Sequence, residues 1–292
     1  MDNTTTTPGP STDAAGASPV TPKLDPLIAS LRSYAKYKAR SHDTSKNVHI
    51  PLLQSHLRGV PASGPQVVLL GDSMFERMTT TGQSPNFPAP WPSLALFPSP
   101  DTAGLPTKEK DCRFEGVFNA GVGGDKIQNV IYRLAGDNER GLPGLLPILA
   151  GSVQLWVVHV GTNNLSPKKG WTRADEAALR ELARTLLAAN PTCRVVLTKL
   201  FARTDVPWEV VSGVNETVRG IAERLGDEVG SGRVEYWNPP GADTWLSMEK
   251  HLDDHVHLNL EGYRLWVEVL HPLFHGFVKE RAETEKNVTS SA

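Results

Sequence analysis

The chain has 292 residues, with 30 Lys and Arg against 32 Asp and Glu, and its net charge of -2 offers no broad basic surface for nucleic acid. It is long enough to bury one full core, and no apolar run approaches the roughly 20 residues of a membrane span. Two cysteines, Cys112 and Cys193, cannot build a disulfide framework and sit in no Cys-x-x-Cys spacing, so both read as reduced bystanders.

Residues 1–22 are rich in Thr, Pro, Ser, Ala and Gly and predict a disordered tail. The same stretch lacks the basic and apolar parts of a secretory signal, so a cytoplasmic protein is expected, and the Asn-x-Thr triplets at Asn3, Asn215 and Asn287 carry no weight. An N-terminal helical extension is assigned to 23–63. Within it Leu24, Leu27, Ile28, Leu31, Tyr34 and Ala35 recur at helical spacing from Leu24 to Ala39, with Arg32, Lys36, Lys38 and Arg40 forming a solvated face. The main domain is assigned to 64–280 and a flexible tail to 281–292. Apolar runs predict strands near 66–71, 116–119, 153–160, 194–200 and 233–237. Helices are expected near 124–135, 173–189, 208–226 and 260–279, with Thr172 and Asp175 forming a capping box for the second. Alternation of this kind predicts an α/β fold, with a parallel sheet covered on both faces.

Between Thr79 and Cys112 the rhythm breaks. The segment is proline-dense and non-periodic yet carries Phe87, Trp91, Leu94, Leu96 and Phe97, so it is expected to pack as an insertion over the mouth of a site or over a sheet edge.

In a doubly wound sheet, ligands sit outside the carboxyl ends of the strands. The first strand runs into Gly71-Asp72-Ser73 within VVLLGDSMFERM, which reads either as a capped turn or as the seat of a nucleophile. The second is followed by NAGVGGD (Asn119–Asp125), the third by GTNN (Gly161–Asn164), and the last, after a loop, by LDDHVHLNLEGY (Leu252–Tyr263). Acyl transfer needs such parts. A serine hydroxyl must hand its proton to a base, and Asp254, three residues before His257, can fix an imidazole tautomer if the two lie in a helical turn. A glycine-rich turn and an asparagine amide supply donors for an oxyanion.

Other readings compete. The Gly123-Gly124 pair lacks the third glycine of a phosphate loop, since Lys126 stands in its place. His251, His255 and His257 with Asp253 and Asp254 invite a zinc reading, but alternate positions in one turn cannot all converge on one ion, so no metal is expected. His159 reads as a hydrogen-bonded core histidine, and Trp245 and Trp266 read most simply as packing, although Trp245 lies close enough in sequence to Asp254 and His257 to line an acyl pocket.

On Gly71-Asp72-Ser73, Gly121–Asp125, Gly161–Asn164 and Asp254-x-x-His257-Leu258, the chain resembles the SGNH (GDSL) hydrolase family. Within it the likeness is to the branch of the catalytic subunits of intracellular platelet-activating-factor acetylhydrolase. The resemblance covers about residues 64–279. It implies a three-layer α/β/α, flavodoxin-like fold with a five-stranded parallel sheet, and a serine ester hydrolase working through an acyl-enzyme on a short-chain or acetyl ester, with lipid esters among the candidates. It further implies catalytic Ser73, Asp254 and His257, an oxyanion hole from the amides of Ser73 and Gly124 and the side chain of Asn163, and no cofactor. Asn164 replaces the aspartate usual in the GxND block, as in the acetylhydrolase-like branch. A carbohydrate acetylesterase and a flavodoxin-like binding module with an inactive site are the alternatives. A small-molecule ester is the expected partner, and whether the chain forms a homodimer stays open.

Overall fold

The computed structural model describes residues 24–59, 65–82, 117–230, 232–238, 246–270 and 273. The expectations for the two tails, for residues 83–112 of the insertion, for Cys112 and for Trp245 lie outside the described residues.

Strands β1 (Val67–Gly71), β2 (Val117–Gly121), β3 (Leu155–His159), β4 (Arg194–Thr198) and β5 (Val234–Trp237) form one sheet in the order β2-β1-β3-β4-β5, and every neighbouring pair is parallel. This is the flavodoxin-like order of a doubly wound α/β/α fold. β1, β2 and β3 are buried along their whole length, which is why they read as apolar runs rather than alternations. The side chains still alternate between faces. Val68, Leu70, Phe118, Trp156 and Val158 join the larger core, whereas Val67, Leu69, Val117, Leu155 and Val157 join the smaller one.

Over the larger core lie α1 (Leu24–Arg32), α2 (Ala39–Thr44), a π-turn (Ser45–His49), α3 (Ile50–Gly59), α5 (Ile127–Ala135), α6 (Leu146–Leu149), α7 (Arg173–Ala189) and α8 (Trp208–Val229), whereas α4 (Ser73–Glu76) belongs to the other face. The smaller core is closed by α4 and by α10, residues 260–270, which follows the short α9 (Met248–His251) and supplies Tyr263, Trp266, Val267 and Leu270. The capping box at α7 is present: Thr172 Oγ1 accepts from the Asp175 amide and the Asp175 carboxylate accepts from the Thr172 amide.

The helix expected over 24–39 stops at Arg32. Tighter bonds from the Ser33 and Tyr34 amides to Ser30 and Leu31 end it. The next residues are then drawn onto α5, where the Lys36 amide donates to the Gln128 carbonyl (3.0 Å) and Asn129 Nδ2 donates to the Lys36 carbonyl (2.9 Å). Tertiary hydrogen bonds thus override a helical period that Tyr34 and Ala35 would have continued. Lys38 is not part of a solvated face, since its Nζ donates to the Gly123 carbonyl (2.8 Å), whereas Arg40 is exposed as expected and pairs with Glu76 at the surface (2.9 Å).

Candidate active site

At the carboxyl end of β1 the chain turns at once into α4, and Asp72 Oδ1 accepts from the Met74 amide (3.0 Å) as an N-cap. The capped turn expected from the sequence is present, and Ser73 is its first helical residue. Two carbonyls of this single-turn helix are tied from outside, that of Phe75 by Asn119 Nδ2 (2.6 Å) and that of Met74 by the Tyr263 hydroxyl (2.9 Å). Ser73 is left at the surface end with 8% exposure, its Oγ 2.9 Å from His257 Nε2.

His257 is carried by a loop, and the helical turn expected around Asp254 and His257 is absent. An isolated bridge between Leu252 and Leu258 closes the loop, and the Asp253 amide bonds back to the His257 carbonyl (2.8 Å). The carboxylate meets the ring because Asp254 caps the turn. Its Oδ1 accepts from the amides of Val256 (2.8 Å) and His257 (2.7 Å), and its Oδ2 lies 2.7 Å from His257 Nδ1. Burial opposes its ionisation, but the His257 amide and ring and the Val256 amide hold the carboxyl well below the usual range. An ionised Asp254 fixes the proton on Nδ1, which leaves the Nε2 lone pair facing the serine hydroxyl. Arg77, four residues after Ser73, adds positive charge 3.8 Å from Asp254 Oδ2.

The other sequence candidates converge on the same edge. After β3, Gly161 takes φ +114°, a left-handed backbone that suits glycine, and a Cβ there would lie 2.0 Å from the Trp171 ring. Trp171 Nε1 also donates to the Gly161 carbonyl (2.9 Å), and Arg203 Nη1 to that of Thr162 (2.9 Å). The 3-10 turn Thr162–Asn164 is thus held on both sides. Asn163 Nδ2 donates to the Asp125 carbonyl at 2.9 Å and reaches Asp72 Oδ2 only at 3.3 Å, so one amide hydrogen anchors the side chain and the other is weakly held. Gly124, one residue before Asp125, has φ +73°, and among the described residues neither its amide nor that of Ser73 has a hydrogen-bond partner. Asn164 faces away from the site. Its Oδ1 accepts from the first amide of α5 (Ile127, 3.0 Å), and its Nδ2 donates to Gln128 (3.1 Å) and to Asp175. An aspartate at 164 would set a second carboxylate against Asp175, which accounts for the asparagine.

Behind the glycine turn, Asp125 and Arg133 form a fully buried ion pair at 2.7 Å, and Arg133 also donates to the carbonyls of Ala120 (2.9 Å) and Gly71 (3.0 Å). One guanidinium thereby ties the ends of β1 and β2 to the turn. Sequence reading missed Arg133, Arg77, Arg203 and Lys38, because none falls within a recognisable short motif with its partner.

The histidine cluster is dispersed. His251 Nδ1 accepts from the Ser247 amide (2.9 Å) and His255 faces Asp205 (3.9 Å), and no group of three His, Cys, Asp or Glu among the described residues could hold a metal ion. His159 lies in the core with Nδ1 2.7 Å from Thr198 Oγ1, and Trp266 stacks on Phe75. Cys193 is buried against the Leu186 carbonyl, and burial pushes its thiol up to about 11.

Three buried groups set a pH dependence of stability. Burial lowers His159 to about 3, and burial with Arg133 nearby lowers His49 to about 3, both from 6.5. Burial, reinforced by Asp125, pushes Asp72 up to about 7 from 3.8, against the Met74 amide and the charges of Arg203 and Arg133. The histidines contribute stability above about pH 6.5 that is lost as pH falls toward 3, because the unfolded chain takes up protons that the folded chain excludes. Asp72 acts in the opposite sense, losing stability as pH rises from about 4 to about 7. Two protons less one leave a net fall of about 1.4 kcal/mol per pH unit as pH drops from about 6 to about 4.5. Urea unfolding across this window is expected to show that slope, and His159→Phe to reduce it to near zero. A wild-type slope of zero would contradict the burial of these rings as neutral species.

With a hydroxyl, an imidazole and a carboxylate in hydrogen-bonded series at the carboxyl edge of a doubly wound sheet, the class is that of an α/β hydrolytic enzyme. The chain belongs to the GDSL-like lipase/acylhydrolase family, whose model matches residues 69–265, and is an ester hydrolase of the SGNH/GDSL type. No curated protein matches it. Among solved structures it is similar to a lipase/acylhydrolase from Enterococcus faecalis, at 21% identity over 72% of this chain and 95% of that one, with a TM-score of 0.42. A carbohydrate esterase family 3 protein from Talaromyces cellulolyticus matches at 17% identity over 73% and 98% of the two chains, with a TM-score of 0.46. An acetyl xylan esterase from Geobacillus stearothermophilus matches at 16% identity over 74% and 96%, with a TM-score of 0.45. At these values the likeness assigns no substrate. Among the described residues no helix is long and apolar enough to cross a membrane.

Proposed function

We propose that the chain hydrolyses short-chain carboxylic esters through an acyl-enzyme on Ser73. The observation that carries this reading is the 2.9 Å contact between Ser73 Oγ and His257 Nε2, in line with the 2.7 Å contact from His257 Nδ1 to Asp254. Ser73 Oγ attacks the ester carbonyl carbon while His257 Nε2 takes the hydroxyl proton, and Asp254 balances the imidazolium. The negative charge that develops on the carbonyl oxygen is met by the amides of Ser73 and Gly124 and by the hydrogen of Asn163 Nδ2 that Asp72 holds only at 3.3 Å. Collapse breaks the bond to the leaving oxygen, which receives the proton from His257. Water then enters, gives its proton to His257, attacks the acyl carbon and releases the acid with Ser73 restored. No step requires a cofactor.

The short acyl chain is what the resemblance to the acetylhydrolase-like branch implies. A series of aryl esters from acetyl to long-chain acyl tests it. The highest kcat/KM is expected at acetyl to butyryl, and a preference for long chains would contradict the assignment. An acetylated sugar and an acetylated lysolipid in the same series separate a carbohydrate from a lipid leaving group.

A further inference from the structure

The Gly123–Gly124 peptide has its amide end at Gly124, which the proposed mechanism uses as an oxyanion donor. Its other end, the Gly123 carbonyl, accepts a hydrogen bond of 2.8 Å from Lys38 Nζ. Lys38 comes from the N-terminal segment, outside the 69–265 span of the family match. That segment is held in place along its length. The Lys36 amide and carbonyl are bonded to Gln128 and Asn129 at the start of α5, Ser41 Oγ donates to Asp125, and Arg40 pairs with Glu76 of α4. Lys38, in extended conformation just before α2, is thereby delivered onto the glycine turn, with its Nζ also 3.5 Å from Asp125 Oδ1. A Cβ on Gly124 would lie 2.9 Å from that Nζ, so the ammonium packs directly against the turn.

Two physical effects follow. A glycine pair can rotate its shared peptide plane at little steric cost, and such a rotation would turn the Gly124 N–H away. A charged donor on the carbonyl holds the plane. The same donor also polarises the peptide, since hydrogen bonds in series strengthen one another, and so makes the N–H at the other end a better donor. We propose that Lys38 is a positioning residue for the oxyanion hole, holding and polarising the Gly123–Gly124 peptide from the far side. This rests on the serine acyl-transfer reading of the site.

Lys38→Met and Lys38→Arg test it, with Ser73→Ala measured beside them on an aryl acetate. Loss of a whole oxyanion donor costs about 10²–10³ in kcat, and loosening one donor among three should cost less, about 10-fold in Lys38→Met, with KM within about twofold. The rate of phosphonylation by a fluorophosphonate should fall by a similar factor. Lys38→Arg keeps a charged donor and is expected to recover most of the loss. Unchanged kcat in Lys38→Met, or a Lys38→Arg enzyme no better than Lys38→Met, overturns the inference. If Ser73→Ala retains turnover, the serine reading itself fails, whereas an inert Ser73→Ala beside an unaffected Lys38→Met removes only the role of Lys38.

Discussion

Replacing Ser73 by Ala is expected to lower kcat on an aryl acetate by at least about 10⁴-fold, with the melting temperature within a few degrees of wild type. The size of the loss follows from the role proposed for the hydroxyl. Among the described residues no neighbouring group can form the acyl-enzyme in its place, and what remains is binding and the proposed oxyanion donors. The small effect on stability follows from the surroundings. Ser73 Oγ faces His257 rather than the packed core, and α4 is held by Asp72, Asn119 and Tyr263 through groups that the substitution leaves intact. Kinetics and thermal unfolding on one preparation free of contaminating esterase check both halves, and retained turnover would contradict the mechanism.

Asn163→Ala is expected to lower kcat by about 10²–10³-fold while KM changes little, because its donor matters most once charge has developed on the oxygen. The side chain also anchors the Asp125 carbonyl at 2.9 Å, so truncation frees the end of the glycine turn as well as removing a donor. Asn163→Asp separates the two effects poorly by shape but clearly by charge. It is expected to be at least as inactive, because it would set a carboxylate where the oxyanion forms and next to the buried Asp72. A change confined to KM in Asn163→Ala would take the residue out of the oxyanion hole.

Much of this architecture was legible because it is local. Three strands buried along their whole length and two partly buried ones leave short apolar runs, and each is found within a few residues of its expected place. Ser73, Asn163 and the Asp254–His257 pair stand just beyond strand ends or in a short motif, so topology alone brings them to one edge. The way Asp254 reaches His257 was not legible, since spacing of three suits a helical turn as well as the capped loop that forms. The supports were hidden for a different reason. Lys38 and Gly123 are 85 positions apart, and Arg203 and Thr162 are 41 apart, so nothing in either local sequence marks the pairing. Asp125 and Arg133 are only 8 apart, but α5 intervenes, and an arginine on an amphipathic helix ordinarily reads as solvated rather than fully buried. The misread end of α1 has the same origin, since the backbone of residue 36 is claimed by α5 rather than by its own helical period.

The central claim is that Ser73 is an activated nucleophile, and covalent labelling addresses it most directly. Incubating the full chain with a fluorophosphonate and mapping the adduct by mass spectrometry is expected to give a single modification, on Ser73, that appears in step with loss of esterase activity and is absent from His257→Ala. An adduct on another residue, or full esterase activity surviving in protein whose Ser73 is stoichiometrically labelled, would contradict the account.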